Sequence, residues 1–275
     1  MKTPTVAFQG ELGAYSHEAA ERFFRGQLQP IPQRSFEDVF RAVETEEADL
    51  GIVPIENSLV GSIHRNYDLL LISSLQVIAE QDLRIEHALI GLPGSKLEQI
   101  REVSSHPVAL EQCRDYLSAQ KLTQRAAYDT AGAVKALQGT GDPAIAAVAS
   151  RYAAELYGMK ILAAAIQDET DNYTRFLILS RDRAERCENC KTSIVFALKN
   201  VPGALFKALS VFALRDLDLT KIESRPVRSR KWQYYFYLDF QGHAEDDTAR
   251  NAINHLGEIT SFLKILGSYP AQQSE

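Results

Sequence analysis

The stretch LGIVPIENS, residues 50–58, carries an apolar run directly into a polar cluster. Residues 50–53 predict a buried strand that is closed by Pro54. The polar cluster that follows consists of Glu56, Asn57 and Ser58, with Gly61 a little further on. In open α/β sheets ligands bind beyond the carboxyl ends of strands, so this cluster is a candidate ligand site. A helix cap supplied by the cluster explains the same pattern equally well.

Strand-like and helix-like segments alternate on both sides of this stretch, through the first two-thirds of the chain. Before it, residues 5–8 form a β-prone run, and helices are predicted to start at Ser16 and at Ser35 because apolar residues then recur at helical spacing. The later predicted elements are strands at 77–85, 88–90 and 145–148 and helices at 113–117 and 150–157. Such alternation predicts an α/β sheet with helices on both faces.

A second, smaller pattern follows a polar and charged stretch at residues 181–191, where we place a domain boundary. The predicted elements are strands at 192–198, 219–224, 233–240 and 262–266 and helices at 203–213 and 246–256. Their order, β-α-β-β-α-β, predicts a ferredoxin-like domain. Two domains also suit a chain of 275 residues.

Composition and charge are those of an ordinary soluble globular protein. Acidic residues outnumber basic ones by 36 to 30, and no basic patch or recognition helix indicates a nucleic-acid partner. No apolar run approaches the roughly 18 residues of a membrane span, so no membrane partner is expected. The N-terminus leads into the first strand without a signal-peptide pattern, so we expect a cytoplasmic protein. The missing export signal also counts against a non-enzymatic solute-binding protein, which two α/β lobes around a cleft would otherwise fit.

The three cysteines, Cys113, Cys187 and Cys190, predict neither a disulfide framework nor a metal site. Their number is odd and no export signal accompanies them, so we expect free thiols, with Cys187 and Cys190 in a linker. A structural zinc ion needs four ligands, and this C-x-x-C pair has no second pair at a suitable spacing. His64 and His106 are acid–base candidates by residue type. Neither has metal-ligand spacing to another histidine, so both are expected to be structural or surface residues.

Two further segments could bind an anionic ligand. Residues 10–13, GELG, allow close backbone approach next to a helix N-terminus, although an ordinary tight turn explains them as well. Thr174-Arg175-Phe176 precedes an apolar strand, where an arginine can bind a carboxylate bidentately and a hydroxyl can donate a hydrogen bond. The alternatives are a surface salt bridge for Arg175 and a plain core position for Phe176.

Taken together, the motifs resemble those of the prephenate dehydratase family, and they occur in that family's order. They are Val6-Ala7-Phe8-Gln9-Gly10, Pro54-Ile55-Glu56-Asn57-Ser58 with Gly61 and Asp68-Leu69-Leu70, Ser105-His106-Pro107 with Cys113, and Gln167-Asp168 with Asn172, Thr174, Arg175 and Phe176. The segment 191–242 resembles the family's ACT regulatory domain, with Gly203-Ala204-Leu205 and Glu223-Ser224-Arg225-Pro226. The resemblance extends over nearly the whole chain, about residues 4 to 270.

The resemblance implies a fold and a reaction. The implied fold is α/β: a two-lobed, type II periplasmic-binding-protein-like catalytic domain at 4–181, a linker at 182–191 and a ferredoxin-like ACT domain at 192–270. The implied reaction removes CO₂ and a hydroxyl group from prephenate to give phenylpyruvate in phenylalanine biosynthesis. Aromatisation of the ring drives it, so no metal or cofactor is expected. Two local details, at 61–68 and 129–133, lean towards the arogenate dehydratase form, and the sequence leaves both substrates open.

The resemblance also implies roles for individual residues. Thr174 is expected to assist loss of the hydroxyl group. The expected substrate-binding residues are Glu56, Asn57, Ser58, Gly61, Thr130, Ala131, Arg175, Phe176 and Ser16. The expected site for the effector L-phenylalanine, between paired ACT domains, consists of Gly203, Ala204, Leu205, Glu223, Ser224 and Arg225. ACT pairing implies a homodimer or homotetramer. Ala14 departs from the serine or threonine of many family members, which puts a ligand hydroxyl there in doubt.

The two carboxylates of such a substrate require opposite treatment. The side-chain carboxylate persists, so we expect a firm pair with Arg175. The ring carboxylate leaves as neutral CO₂, so an ion pair there would stabilise the ground state more than the transition state. We therefore expect one arginine beside a less charged, partly apolar wall to which Phe176 contributes.

Overall fold

The computed structural model describes residues 3–227 and 232–272. The chain forms two compact units. The first unit comprises residues 1–63 and 82–176, and the second unit comprises residues 64–81 and 177–275. Within the described residues, none of the helices is both long enough and apolar enough to cross a membrane.

The helices and strands are numbered in chain order. The strands are β1 (Thr5–Gln9), β2 (Gln29–Gln33), β3 (Leu50–Asn57), β4 (Gly61–Ser62), β5 (Gln76–Arg84), β6 (Ala88–Gly91), β7 (Glu102–Ser105), β8 (Thr123–Ala126), β9 (Ile145–Ala149), β10 (Lys160–Ala163), β11 (Tyr173–Ser180), β12 (Cys190–Leu198), β13 (Leu219–Pro226), β14 (Tyr234–Gln241) and β15 (Thr260–Pro270). The helices are α1 (Tyr15–Phe24), α2 (Phe36–Glu44), α3 (His64–Ile72), α4 (Pro107–Glu111), α5 (Arg114–Ala119), α6 (Thr130–Thr140), α7 (Arg151–Leu156), α8 (Ala204–Ala213) and α9 (Asp247–Ile259).

The first sheet has the strand order β2-β1-β3-β11-β5, and β4 pairs with β3. Because β1 pairs in parallel with β2 and with β3, the carboxyl ends of these strands lie at the same edge. Strand β3 continues through Pro54 to Asn57, so the prediction that it closes at Pro54 is wrong. Its pairing with β1 ends at Ile52, opposite Phe8, so the proline nitrogen interrupts no hydrogen bond of that ladder.

The second sheet belongs to the first unit and has the order β10-β6-β9-β7-β8. Strand β7 is parallel to both of its neighbours, whereas β6 is antiparallel to β9. One apolar core contains buried residues of both sheets, among them Phe8 and Ile52 of the first and Ile90 and Ala147 of the second. The predicted α/β class is therefore confirmed, with two sheets in place of a single one.

Of the two helix starts predicted before β3, the one at Ser35 is right and the one at Ser16 is wrong. Ser35 is the N-cap of α2, and its hydroxyl accepts a hydrogen bond from the Asp38 N–H at 3.2 Å. Helix α1 begins one residue earlier than predicted, at Tyr15, and its N-cap is Ala14, which forms no side-chain capping bond. Ser16 is buried inside the first turn, so it does not cap this helix.

Cys187 and Cys190 form a disulfide, so the prediction of free thiols is wrong for this pair. Their Cα atoms lie 5.5 Å apart, within the range in which a disulfide forms. Counting cysteines could not reveal this short link, because the pairing depends on the turn that precedes β12. Cys113 is a buried, free cysteine, as expected.

The third sheet lies in the second unit and has the order β13-β14-β12-β15, with every neighbouring pair antiparallel. Together with α8 and α9 it forms a β-α-β-β-α-β unit, which confirms the ferredoxin-like prediction. Because side chains alternate along a strand, Ile194, Phe196 and Leu198 of β12 face the core that α8 and α9 cover.

Residues 64–81, which contain α3 and the first part of β5, pack with the second unit. The Tyr237 hydroxyl donates a hydrogen bond to the Tyr67 carbonyl at 2.8 Å, and the two rings meet edge to face at 4.8 Å between centroids. Lys191 Nζ lies 2.6 Å from Glu80 Oε2, and both side chains are buried. The second unit therefore includes a segment that is remote in sequence from the predicted ACT domain.

Candidate active site

A cleft of about 590 Å³ lies within the first unit, where strand ends of the first sheet meet the first turns of several helices. Apolar side chains, including Val60, Ile85 and Phe176, line one part of the cleft. Polar side chains, including Asn57 and Thr174, line another. A cavity of this size and mixed lining suits a small organic molecule.

Three long helices present their N-terminal turns to the cleft. Tyr15 and Ser16 of α1, Phe36 of α2 and Thr130 of α6 all line it. The first N–H groups of a helix have no partner within the helix, and the helix dipole makes this end positive. The cleft therefore suits an anionic ligand, even though the chain has a formal net charge of −6.

The side-chain amide of Asn57 joins the end of β3 to the start of β11. Its Oδ1 accepts hydrogen bonds from the backbone N–H groups of Leu59 and Val60, each at 3.0 Å. Its Nδ2 therefore points the other way and lies 2.6 Å from Asn172 Oδ1 and 3.0 Å from Thr174 Oγ1. Because Asn57 is the donor, the Thr174 hydroxyl accepts this bond and keeps its own proton for a group in the cleft.

Successive residues of β11 alternate between the cleft and the other side of the strand. Thr174 and Phe176 line the cleft and are 8% and 1% exposed. Arg175 lies between them on the other side, where its Nε is 2.8 Å from Glu56 Oε1. This ion pair links the end of β3 to β11, and neither member is among the described residues that line the cleft.

Three of the predicted substrate residues belong to helix starts. Ser16 and Thr130 line the cleft at the first turns of α1 and α6. Ala131, next to Thr130, is fully buried in the apolar core of the first unit. Ser16 and Thr130 therefore lie at the cleft, whereas Ala131 is not among the described residues that line it.

The remaining two predicted substrate residues shape the backbone beside the cleft. The Ser58 hydroxyl donates to the Asp171 carbonyl and accepts from the Tyr173 N–H, both at 2.9 Å. Gly61 has φ of 86°, a left-handed conformation that favours glycine, and pairs with Asn57 in the turn from β3 to β4. Neither Ser58 nor Gly61 is among the described lining residues of the cleft.

The turn at residues 10–13 is held by side chains of the protein. The Glu11 N–H donates to the Asp129 carboxylate and the Gly13 N–H donates to His17 Nδ1, each at 3.0 Å. These donors already have partners, so the arrangement favours a tight turn over an anion cradle.

Sequence analysis missed the arginine that lines the cleft. Arg34 directly precedes Ser35, the N-cap of α2, and is one of the residues that line the cleft. Its carbonyl accepts a hydrogen bond from the Tyr128 hydroxyl, which in turn accepts one from Gln9 Nε2 at 3.2 Å. The position of Arg34, between a strand end and a helix cap, was the signal that could have indicated it.

Sequence analysis also missed a buried histidine in the cleft wall. His87 is 2% exposed, with Nδ1 2.7 Å from the Tyr15 hydroxyl and Nε2 2.8 Å from Gln112 Oε1. Burial lowers the pKa of His87, against a smaller opposing effect of the Gln112 hydrogen bond, and burial raises the pKa of Tyr15 well above its ordinary value. Both side chains are therefore neutral near neutral pH.

The two histidines that were considered from sequence have structural contacts. His106 is the N-cap of α4, and its Nδ1 accepts a hydrogen bond from the Val108 N–H at 3.3 Å. It is also one of the residues that line the cleft. His64 belongs to the second unit, where its Nε2 lies 3.5 Å from Glu223 Oε1.

Near the cleft, burial raises the pKa of the Cys113 thiol to about 12, which keeps it protonated and a poor nucleophile.

The predicted effector residues lie on two elements of the second unit. Gly203 is the N-cap of α8 and has φ of 77°, while Leu205 in the first turn is exposed. On β13, side chains alternate between the two faces of the strand, so Ser224 lies on the opposite face from Glu223 and Arg225. Glu223 lies beside His64, as above, and an Arg225 guanidinium nitrogen lies 3.3 Å from Asp68 Oδ1.

Fold and cleft together define the class of protein: a two-sheet α/β enzyme for a small anionic molecule, fused to a ferredoxin-like domain. The family model for prephenate dehydratase matches residues 6–184, and the ACT domain model matches residues 192–258. The chain therefore belongs to the prephenate dehydratase family, which confirms the resemblance of its motifs and the two-lobed fold class that they implied.

Two of the similar proteins carry the name of this family, and a third carries a different description. The chain is 47% identical to arogenate dehydratase/prephenate dehydratase 2, chloroplastic, of Arabidopsis thaliana, over 96% of this chain and 72% of that protein. It is similar to the crystal structure of prephenate dehydratase from Arthrobacter aurescens in complex with L-Phe, with TM-score 0.88, 31% identity and coverage of 97% and 90%. It is also similar to GqqA, described as a novel type of quorum-quenching acylase, with TM-score 0.89, 35% identity and 98% coverage of both chains. A cytoplasmic location for this chain stays a prediction.

The Asn57 contacts predict the effect of Asn57→Asp. A carboxylate keeps the acceptor for the Leu59 and Val60 N–H groups but cannot donate to Thr174 Oγ1. The Thr174 hydroxyl will then donate to the new carboxylate, so we expect turnover of a ligand that needs this proton to fall by about 10²-fold. Steady-state kinetics, with unfolding temperature measured in parallel, test this. Exposed Asn189→Asp is the matched control, and an unchanged kcat for Asn57→Asp would contradict the proposed orientation.

Proposed function

We propose that this protein is a prephenate dehydratase, a carbon–oxygen lyase that converts prephenate to phenylpyruvate, CO₂ and water in L-phenylalanine biosynthesis. The observation that carries the proposal is the Thr174 hydroxyl, which accepts a hydrogen bond from Asn57 at the cleft wall and so offers its proton to a bound molecule. The family match and the similarity to the Arabidopsis relative support the same reaction.

The reaction needs correct orientation and a proton for the departing hydroxyl group. The electron pair of the bond to the ring carboxylate moves into the ring, which becomes aromatic, while the carbon–oxygen bond at the opposite ring carbon breaks. The leaving oxygen takes up a proton and departs as water. Thr174 is proposed to supply this proton, which solvent restores, and general acid assistance of this kind typically contributes about 10²–10⁴-fold.

The two carboxylates of prephenate suit different parts of the cleft. Of the described residues that line it, Arg34 is the only arginine. A guanidinium can bind the persistent side-chain carboxylate with charge-assisted hydrogen bonds. The ring carboxylate loses its charge as CO₂ forms, so an apolar wall such as that around Ile85 and Phe176 disfavours the ground state more than the transition state. Arg175, predicted from sequence to bind a carboxylate, is proposed instead to fix the strand ends through Glu56.

Removing the Thr174 hydroxyl tests the proposed function. We expect Thr174→Ala to lower kcat for prephenate by about 10²–10⁴-fold, because proton donation to the leaving hydroxyl group is lost. Phenylpyruvate release measured in steady state gives the rate, and circular dichroism checks the fold. Thr174→Ser keeps a hydroxyl and is expected to retain most activity. Near-normal kcat for a folded Thr174→Ala variant would remove Thr174 from this role.

Two arginine variants distinguish the proposed clamp from the ion pair. We expect Arg34→Leu to raise KM by about tenfold or more with little change in unfolding temperature, because a charge-assisted hydrogen bond to substrate is lost. Arg175→Leu is expected to lower the unfolding temperature, because it removes the counter-charge 2.8 Å from Glu56. Exposed Arg25→Leu serves as control. The opposite result, in which only Arg175→Leu raises KM and its unfolding temperature is unchanged, would indicate that Arg175 binds the substrate carboxylate.

Arogenate is the second candidate substrate. The name of the Arabidopsis relative includes arogenate dehydratase, and a relative from Petunia hybrida with 45% identity is named arogenate dehydratase 2. Arogenate carries an ammonium group where prephenate has a keto oxygen, so a few cleft contacts decide the preference.

We propose that L-phenylalanine regulates the enzyme through the ACT domain, and that two such domains pair to form a homodimer or homotetramer. The similar Arthrobacter aurescens structure is a complex with L-Phe. In this chain β13 is an edge strand, and Phe206 in the first turn of α8 is 75% exposed. An exposed strand edge and large apolar side chains favour association with a second copy.

The regulatory proposal predicts that added L-phenylalanine lowers activity and changes the sedimentation profile of the full-length protein. Gly203→Ala is expected to weaken this response, because a side chain at φ of 77° strains the backbone at the start of α8. Gly257→Ala, in α9 of the same unit and in ordinary van der Waals surroundings, is the matched control. If L-phenylalanine alters neither rate nor assembly of the unmodified protein, the regulatory role fails.

A further inference from the structure

The Tyr15 hydroxyl has one proton and two possible acceptors. It lies 2.9 Å from the Glu86 carbonyl oxygen and 2.7 Å from His87 Nδ1. On the other side of the imidazole, His87 Nε2 lies 2.8 Å from the Gln112 side-chain amide. The three side chains Tyr15, His87 and Gln112 therefore form a hydrogen-bonded chain, and all three line the cleft. We refer to them as the Tyr15–His87–Gln112 relay.

The imidazole at the centre of the relay is neutral and firmly placed. It is 2% exposed, and burial lowers its pKa, so one ring nitrogen carries a proton and the other accepts a hydrogen bond. The His87 backbone N–H donates to Gln167 Oε1 at 3.0 Å, and the Tyr15 ring meets the imidazole edge to face at 5.5 Å between centroids. A fixed neutral imidazole exchanges its two tautomers without moving any heavy atom.

In each of the two His87 tautomers, Gln112 presents a different hydrogen-bonding group to the cleft. When Tyr15 donates to Nδ1, Nε2 carries the proton and donates to the Gln112 oxygen, which leaves the amide NH₂ as a donor for the ligand. When Tyr15 donates to the Glu86 carbonyl, it accepts from Nδ1–H, and the bare Nε2 then accepts from the rotated Gln112 amide. The Gln112 oxygen is left as an acceptor for the ligand. The relay thus satisfies its buried groups in both arrangements.

The Asn57 side-chain amide, which also lines the cleft, lacks this freedom. Asn57 Oδ1 accepts two backbone N–H groups, which cannot reverse their polarity, and its Nδ2 donates to the Tyr173 carbonyl at 3.1 Å as well as to Thr174. Asn57 is therefore a permanent donor towards Thr174. Gln112 differs because its partner is a neutral imidazole, in which each ring nitrogen can be either donor or acceptor depending on the tautomer.

We propose that the Tyr15–His87–Gln112 relay lets this enzyme accept both prephenate and arogenate, because Gln112 can donate to the keto oxygen of prephenate or accept from the ammonium group of arogenate. The inference rests on the proposed function. A keto oxygen needs a donor and an ammonium group needs an acceptor, so a rigid polar contact would favour one substrate strongly. A contact that reverses polarity without displacing its neighbours serves both, with Tyr15 and His87 as positioning residues.

The test is the ratio of kcat/KM for arogenate to kcat/KM for prephenate in three variants of the full-length protein. Gln112→Glu presents a permanent acceptor, so we expect this ratio to rise about tenfold or more, which corresponds to one lost or reversed polar contact. Gln112→Met removes donor and acceptor together and is expected to lower both values with little change in the ratio. Because each ratio is taken on one enzyme preparation, partial misfolding does not alter it.

His87→Phe examines whether the histidine acts through Gln112. Introduced alone, it is expected to change the ratio, because the Gln112 amide loses the partner that orients it. Introduced together with Gln112→Met, it is expected to cause no further change in the ratio, as for two residues acting as a unit. A merely structural role for His87 would instead alter both substrates equally and would add to the effect of Gln112→Met.

Exposed Gln120→Glu, at the end of α5, is the matched control for the added charge and should keep the wild-type ratio. A Gln112→Glu ratio within about twofold of wild type, on a wild-type enzyme active with either substrate, overturns the relay and leaves the proposed function standing. Wild-type protein that is inactive on both substrates overturns the proposed function and the relay together.

Discussion

The hydrogen bonds of one side-chain amide fix the chemistry of the cleft. Two backbone N–H groups orient Asn57 Oδ1, so Nδ2 must reach across to the start of β11 and donate to Thr174 Oγ1. This arrangement ties the turn after β3 to the start of β11 and leaves the Thr174 proton free to point into the cleft. On the other side of β11, the Arg175–Glu56 ion pair also joins the end of β3 to β11. We call this meeting of the two strands the β3–β11 junction. A hydroxyl of ordinary acidity becomes useful because its acceptor role is already filled.

Around this junction the first unit provides binding without a concentrated positive charge. Helix N-termini and Arg34, the one arginine among the described lining residues, suit an anionic ligand, while apolar residues form another part of the wall. This division matters for a decarboxylation, because a fully paired leaving carboxylate would resist the loss of its charge. The same cleft contains a fixed amide, Asn57, and one whose polarity follows a histidine tautomer, Gln112. In the proposed function, proton donation and acceptance of both substrates therefore depend on separate hydrogen-bond systems.

The second unit is more than the ferredoxin-like domain that the sequence pattern outlines. It also contains α3, which follows the polar cluster directly in the chain, and its Tyr67 and Asp68 contact Tyr237 and Arg225. Two of the predicted effector residues, Glu223 and Arg225, thus have partners on α3.

Local pattern alone determined much of this protein: the α/β alternation, the β-α-β-β-α-β order of the C-terminal domain, and Asn57 and Thr174 as polar groups at strand ends. These follow from hydrophobic periodicity and turn chemistry, which act between near neighbours in sequence. Tertiary structure decided the rest. Strand alternation turned Arg175 away from the cleft, and chain topology brought Arg34, His87 and Gln112 to it. It also placed residues 64–81 with the second unit and closed the Cys187–Cys190 disulfide. Such outcomes depend on which distant segments pack together, and no local pattern records that choice.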